Sequence, residues 1–128
     1  MRPGLRRRLE GGQATLELAL CLPVLMLALL LVVQVGLVVR DQVRAVHAAR
    51  EAAREAAVSA DPSRAEAAAQ GSSDLDGSRL TVSISGRGAA GSRVTATVTY
   101  RASTDVPLVG LLVPDPVLHA EATMRVEG

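Results

Sequence analysis

The strongest pattern in the chain is one unbroken apolar run. Residues 18–39, LALCLPVLMLALLLVVQVGLVV, carry no charge, and Gln34 is their single strongly polar side chain. As a helix this run is about 33 Å long, close to the thickness of a bilayer hydrocarbon core. The rest of the chain is too small to surround it as the buried helix of a soluble core. Pro23 and Gly36 are compatible with a membrane helix, where both residue types are tolerated. Beyond the run, residues 40–57 keep helical composition without a breaker. Ala45, Ala49, Ala53 and Ala57 recur every four residues and so share one face, a small-residue surface that lets another helix approach closely. Val43 and Val46 extend its apolar side. Arg40, Arg44, Arg50, Glu51, Arg54 and Glu55 supply the polar side, with Asp41–Arg44 and Glu51–Arg54 spaced for ion pairs. His47 falls among these polar positions and reads as a surface residue. The spacing predicts a main helix from about Ala14 to Ser59, stopped by Asp61-Pro62-Ser63. Ser59 or Asp61 then caps a short helix over Ala65 to Gln70, and Gly71 ends it.

The pattern changes in the C-terminal half. Residues 71–78, GSSDLDGS, form a turn-rich linker. Leu80, Val82 and Ile84 alternate with Thr81, Ser83 and Ser85. Val94, Ala96, Val98 and Tyr100 alternate with threonines. Leu118, Ala120, Ala122, Met124 and Val126 alternate with His119, Glu121, Thr123 and Arg125. Each is a strand with one apolar face. Gly86 to Gly91 provide a hairpin loop between the first two. This loop does not open a helix, so it is not a phosphate cradle. Residues 106–117, VPLVGLLVPDPV, are apolar but too short and too punctuated by proline to span a bilayer. They cover the sheet, or dock against lipid or a partner. The expected fold is an α+β membrane protein: a long N-terminal transmembrane helix extending outside the bilayer, a short second helix and a small three-stranded antiparallel sheet.

Composition narrows the function classes. The 128 residues allow one small domain. One Tyr and no Phe or Trp leave no stacking platform for single-stranded nucleic acid. A net charge of +1 implies no polyanion partner. All fourteen basic residues are Arg, which reads as coding bias. A single Cys excludes an internal disulfide, and with two His it makes no typical closed zinc site. Asp74 and Asp76 lack the further ligands of a calcium loop. His119 and Glu121 share a polar strand face, but no Ser/His/acid arrangement has recognisable context. The reading is no enzyme, no cofactor, no metal and no small-molecule substrate.

The flanks of the apolar run carry more. Arg2, Arg6, Arg7 and Arg8 precede it with only Glu10 opposing them, whereas Arg40 is followed at once by Asp41. The cluster favours a cytoplasmic N-terminus and an exported C-terminus. The run is longer than the apolar region of a cleaved secretory signal. Leu20 is too bulky for the position before a lipoprotein Cys, so Cys21 reads as a small hydrophobe. Between cluster and run lies Gly11-Gly12-Gln13-Ala14-Thr15-Leu16-Glu17. Two glycines are expected to break the helix and expose the backbone. Glu17 then places a carboxylate at the edge of an apolar helix, where burial without a partner is costly. One reading is that Glu17 simply decorates a helix N-terminus, where the macrodipole favours an anion.

A second reading comes from resemblance. A basic leader, a Gly, a Glu five residues later and an immediate apolar run resemble type IV pilin-like precursors. In that family a membrane prepilin peptidase cuts after the Gly. Here a cut between Gly12 and Gln13 makes Glu17 the fifth residue, placed to neutralise the new amine in its own chain or a neighbour's. The stretch from Gly12 to about Ala57 is similar to the TadE-like family, minor pseudopilins of tight-adherence (Flp-type) pilus systems. Leu18 stands where members often carry an aromatic. The resemblance implies a single-pass subunit involved in pilus assembly. Its partners would be membrane lipid, a prepilin peptidase, other pilins or pseudopilins and an inner-membrane assembly platform. The layout is then a leader at 1–12, a transmembrane and extended helix at 13–60, and a small exported α+β region at 61–128 with its sheet from about 79. The alternative is an uncleaved membrane-anchored accessory protein that presents the small domain for protein binding.

Overall fold

A computed structural model describes residues 3–128, with side chains from Gly11 onward. Helix α1 runs from Pro3 to Val58 without interruption. Helix α2 spans Pro62–Ser72. Strands β1 (Leu80–Ser85), β2 (Arg93–Arg101) and β3 (Val117–Arg125) form one antiparallel sheet in the order β1-β2-β3. The long apolar helix, the short second helix and the three-stranded antiparallel sheet are therefore as expected. Helix α1 is long and apolar enough to cross a membrane by length and composition, and its apolar window is almost entirely exposed.

Two expectations about helix ends are corrected. Gly11 and Gly12 lie inside α1, so its start is Pro3, not Ala14. Glycine costs a helix roughly 1 kcal/mol against Ala but keeps its N–H, so strong neighbours on both sides carry the helix through it. Gly71 does not stop α2, which reaches Ser72. The stop comes from Ser73, whose buried hydroxyl donates to the Ala69 carbonyl at 2.8 Å and satisfies a terminal acceptor. The N-terminus of α2 follows the expected chemistry. The Asp61 carboxylate accepts the Ser63 backbone N–H at 3.0 Å and the Ser63 hydroxyl at 2.7 Å, with Pro62 opening the helix.

One face of the sheet packs on the helices. Helix α1 lies over β2 and β3, and α2 lies beside α1 towards β1. The cross-strand rows Leu80-Tyr100-Leu118 and Ile84-Ala96-Ala122 follow from the register. Their apolar members meet the alanine row of α1 in a single core. That core has no large ring except Tyr100, and its largest fully buried side chains are Val94, Val98 and Val109. Density is reached instead by close approach. Ala45, Ala48, Ala49, Ala52 and Ala53 are fully buried and let the helix backbone sit near the sheet.

Strand β3 runs in the same direction as α1 and is tied to it near both ends. The Gln42 side-chain amide donates to the His119 carbonyl at 3.0 Å. The Glu127 N–H donates to the Ala57 carbonyl at 3.1 Å. The sheet therefore stands beside the part of α1 that follows the apolar run. Its Arg101–Val117 row is nearest that run. Neither expected pair, Asp41–Arg44 nor Glu51–Arg54, forms; Asp41 lies 3.8 Å from its neighbour Arg40, and two pairs join different elements. Arg44 lies 4.0 Å from Asp74, and Glu55 lies 3.9 Å from Arg64.

Candidate functional site

The segment from Gly11 to Glu17 occupies two turns of α1, and every residue in it is exposed. The Thr15 hydroxyl donates to the Gly11 carbonyl at 2.9 Å, and the Gln13 amide donates to Glu17 Oε1 at 3.2 Å. A Cβ added at Gly11 or Gly12 would meet nothing within 4 Å, so the backbone is open to approach. Accessibility thus comes from the absence of covering side chains, not from a break in the helix. Two adjacent glycines also make these turns the easiest part of α1 to unwind.

Glu17 does not sit at a helix N-terminus. Helix α1 begins at Pro3, and its first turn holds no acidic residue. The macrodipole reading therefore loses its geometric basis in the intact chain. Gln13 and Glu17 share one face at the i, i+4 spacing, which their hydrogen bond makes concrete. A chain starting at Gln13 would carry its amine one helical turn from Glu17.

The other sequence-stressed residues fall elsewhere. Arg2 lies outside the described residues, as do the side chains of Arg6, Arg7 and Arg8. Ala45, Ala49, Ala53 and Ala57 are buried in the chain's own core, against α2 and the sheet. Cys21 is a free, exposed thiol on α1. His47 is exposed. His119 and Glu121 point to threonines of β2, with His119 Nδ1 3.3 Å from the Thr99 hydroxyl and Glu121 accepting from Thr97 at 3.4 Å. Among the described residues no group of three or more His, Cys, Asp or Glu is placed to hold a metal ion.

One residue gained importance only from the structure. Gln34, inside the apolar run, is 5% exposed, and neither atom of its amide has a hydrogen-bond partner. Val109, Val113 and Pro116 of the β2–β3 connection sit over it and border a cavity of about 280 Å³ with Leu31, Val35 and Val38. A lone polar residue in an apolar run was the only sequence signal for this contact.

No curated protein and no solved structure matches the chain. Residues 12–54 match the family model described as TadE-like protein. That match begins at Gly12 and covers the exposed junction, the apolar run and most of the alanine row. The matched stretch contains the helix that is long and apolar enough to cross a membrane, which suggests membrane anchoring. Over this N-terminal segment, the chain is similar to TadE-like proteins.

Proposed function

We propose that this protein is a minor pseudopilin, a single-pass subunit whose mechanism is assembly rather than turnover. The observation that carries the reading is the junction itself. An exposed Gly12–Gln13 bond lies one helical turn before Glu17, directly ahead of the apolar run, at the start of the TadE-like segment. A prepilin peptidase cuts after Gly12 and leaves the arginine-rich leader on the cytoplasmic side. The new amine of Gln13 is a cation beside an apolar helix, and the Glu17 carboxylate neutralises it within the chain or in a neighbouring pilin. The helix holds the subunit in the membrane and moves laterally into a bundle of pilin helices on the assembly platform. The exported sheet offers a hydroxyl-rich outer face for contacts.

Intact mass and N-terminal sequencing of the protein from native membranes test this. A start at Gln13 supports processing. A start at Met1 or Arg2 overturns it in favour of an uncleaved anchor, a reading that the unbroken course of α1 through Gly12 favours.

A further inference from the structure

The β2–β3 connection does not stay with the sheet. It leaves β2 at Arg101, reaches back along α1 towards the N-terminus, and returns to β3 at Val117. Its contacts place it. Val109 is fully buried, and with Val113 and Pro116 it faces Leu31, Gln34, Val35 and Val38. These helix positions belong to the outer half of the apolar run. At 1.5 Å per residue, Gln34 lies about 8 Å and Leu31 about 12 Å inside the end of the run at Val39. Half a hydrocarbon core is about 15 Å. Resting on the reading that α1 crosses the membrane, the connection is therefore level with acyl chains.

Its own chemistry suits that depth. Residues 106–114 carry no charge. The side turned away from α1 is apolar, with Leu111 86%, Leu112 67% and Leu108 58% exposed. Irregular backbone in hydrocarbon must satisfy its own polar groups. Here Gly110 N–H donates to Val106, Leu111 to Leu108, and Leu112 and Val113 both to Val109, at 2.9 to 3.3 Å. Pro107 and Pro114 have no N–H to satisfy. The tight fold of the segment depends on Gly110, where an added Cβ would stand 2.5 Å from the Thr104 carbonyl oxygen. Charge begins only at the root. Asp115 accepts the Thr104 N–H at 2.9 Å and lies 3.5 Å from Arg79, whose guanidinium also donates to the Arg101 carbonyl at 3.5 Å. Arg79 and Arg101 thus stand at the end of the sheet nearest the apolar run, where phosphate headgroups would lie.

We propose that residues 106–114 form an apolar foot inserted into the leaflet through which α1 leaves the membrane. Phospholipid acyl chains surround Leu108, Leu111 and Leu112. The foot roofs the Gln34 amide on one side and fixes the height and rotation of the sheet above the bilayer on the other. The domain is then held by two membrane contacts instead of a single helix.

The absence of Trp gives a clean test. Full-length L111W, L112W, L29W and S83W chains are reconstituted in phosphatidylcholine vesicles with or without bromine on the acyl chains. Leu111 and Leu112 are exposed, so Trp at either disturbs no packing. The expected result is blue-shifted emission from L111W and L112W, quenched by brominated lipid as for L29W, and insensitive to aqueous iodide. S83W, on the polar face of β1, responds to iodide alone. If iodide quenches L111W and L112W while brominated lipid quenches L29W, the foot is overturned and the span stands. If both quenchers miss L111W and L112W, protein covers the loop and the foot is again overturned. If brominated lipid fails to quench L29W, the spanning reading itself falls, and the foot with it.

Discussion

Gln42 and His119, 77 positions apart, are joined by a 3.0 Å hydrogen bond from the Gln42 amide to the His119 carbonyl. The bond locks the first turn of α1 beyond the apolar run to the start of β3. It holds the start of β3 beside the end of the apolar run. Gln42→Ala removes the donor, and the expected loss is about 1 kcal/mol of stability in the helix–sheet region. Hydrogen exchange should show faster opening of β3 near His119. Unchanged protection would remove this bond from the set that positions the sheet.

Gln34 behaves in the opposite sense. Both polar atoms of its amide are buried without partners. Gln34→Leu keeps the bulk and removes the unsatisfied groups, so the expected outcome is a stabilisation of about 1–3 kcal/mol in detergent unfolding titrations. A loss of stability would mean that the amide finds a partner in the protein's working state.

The alanine row leaves no room for growth. Ala49 is fully buried between α1 and its neighbours. Ala49→Leu is expected to cost about 1–3 kcal/mol through overpacking. Val43→Leu, at an exposed position of the same helix, should be nearly neutral. Thermal unfolding of the two variants side by side checks the contrast.

Two exposed aspartates are expected to make the small domain acid-sensitive. The Ser63 hydroxyl and N–H hold the Asp61 carboxyl below its ordinary value, and Ser78 does the same for Asp76. A carboxylate lowered on folding contributes stability that is fully present above its unfolded pKa, near 4, and lost as pH falls through the lower folded value. The wild-type melting temperature should therefore decline below about pH 4. The Asp61→Asn/Asp76→Asn double variant should start lower and show a shallower acid dependence. An identical pH profile for both proteins would assign acid sensitivity to other groups.

Glu17→Gln addresses assembly. The substitution keeps the shape and removes the charge that would neutralise an amine on Gln13. Membrane insertion should be unchanged, while incorporation into pili falls strongly, read by sheared-filament immunoblots. Normal incorporation would sink the role of the carboxylate.

The sequence by itself determined the elements and their faces. A run of residues without charge has one economical conformation in a low dielectric, so the apolar helix was legible from hydropathy alone. Period-two alternation predicted all three strands, and each apolar set became the buried or half-buried face. Asp61-Pro62 specified the start of α2 because capping is local chemistry. The junction at Gly12 to Glu17 was visible as spacing, but its conformation was not. Glycine propensity argued for a break, and the cooperativity of a 56-residue helix overrode it.

Only the tertiary structure decided where the pieces meet. The alanine row was legible as a surface for close helix approach, but not what packs on it. It became core because α2 and the sheet fold back on the same chain. Arg44 pairs with Asp74 in place of Asp41, and Glu55 with Arg64, because chain reversal brings these partners alongside α1. Residues 106–117 were legible as apolar, yet nothing local said what they touch. Their seat on Leu31 and Gln34 follows from β3 running alongside α1, a long-range pairing that no window of sequence contains.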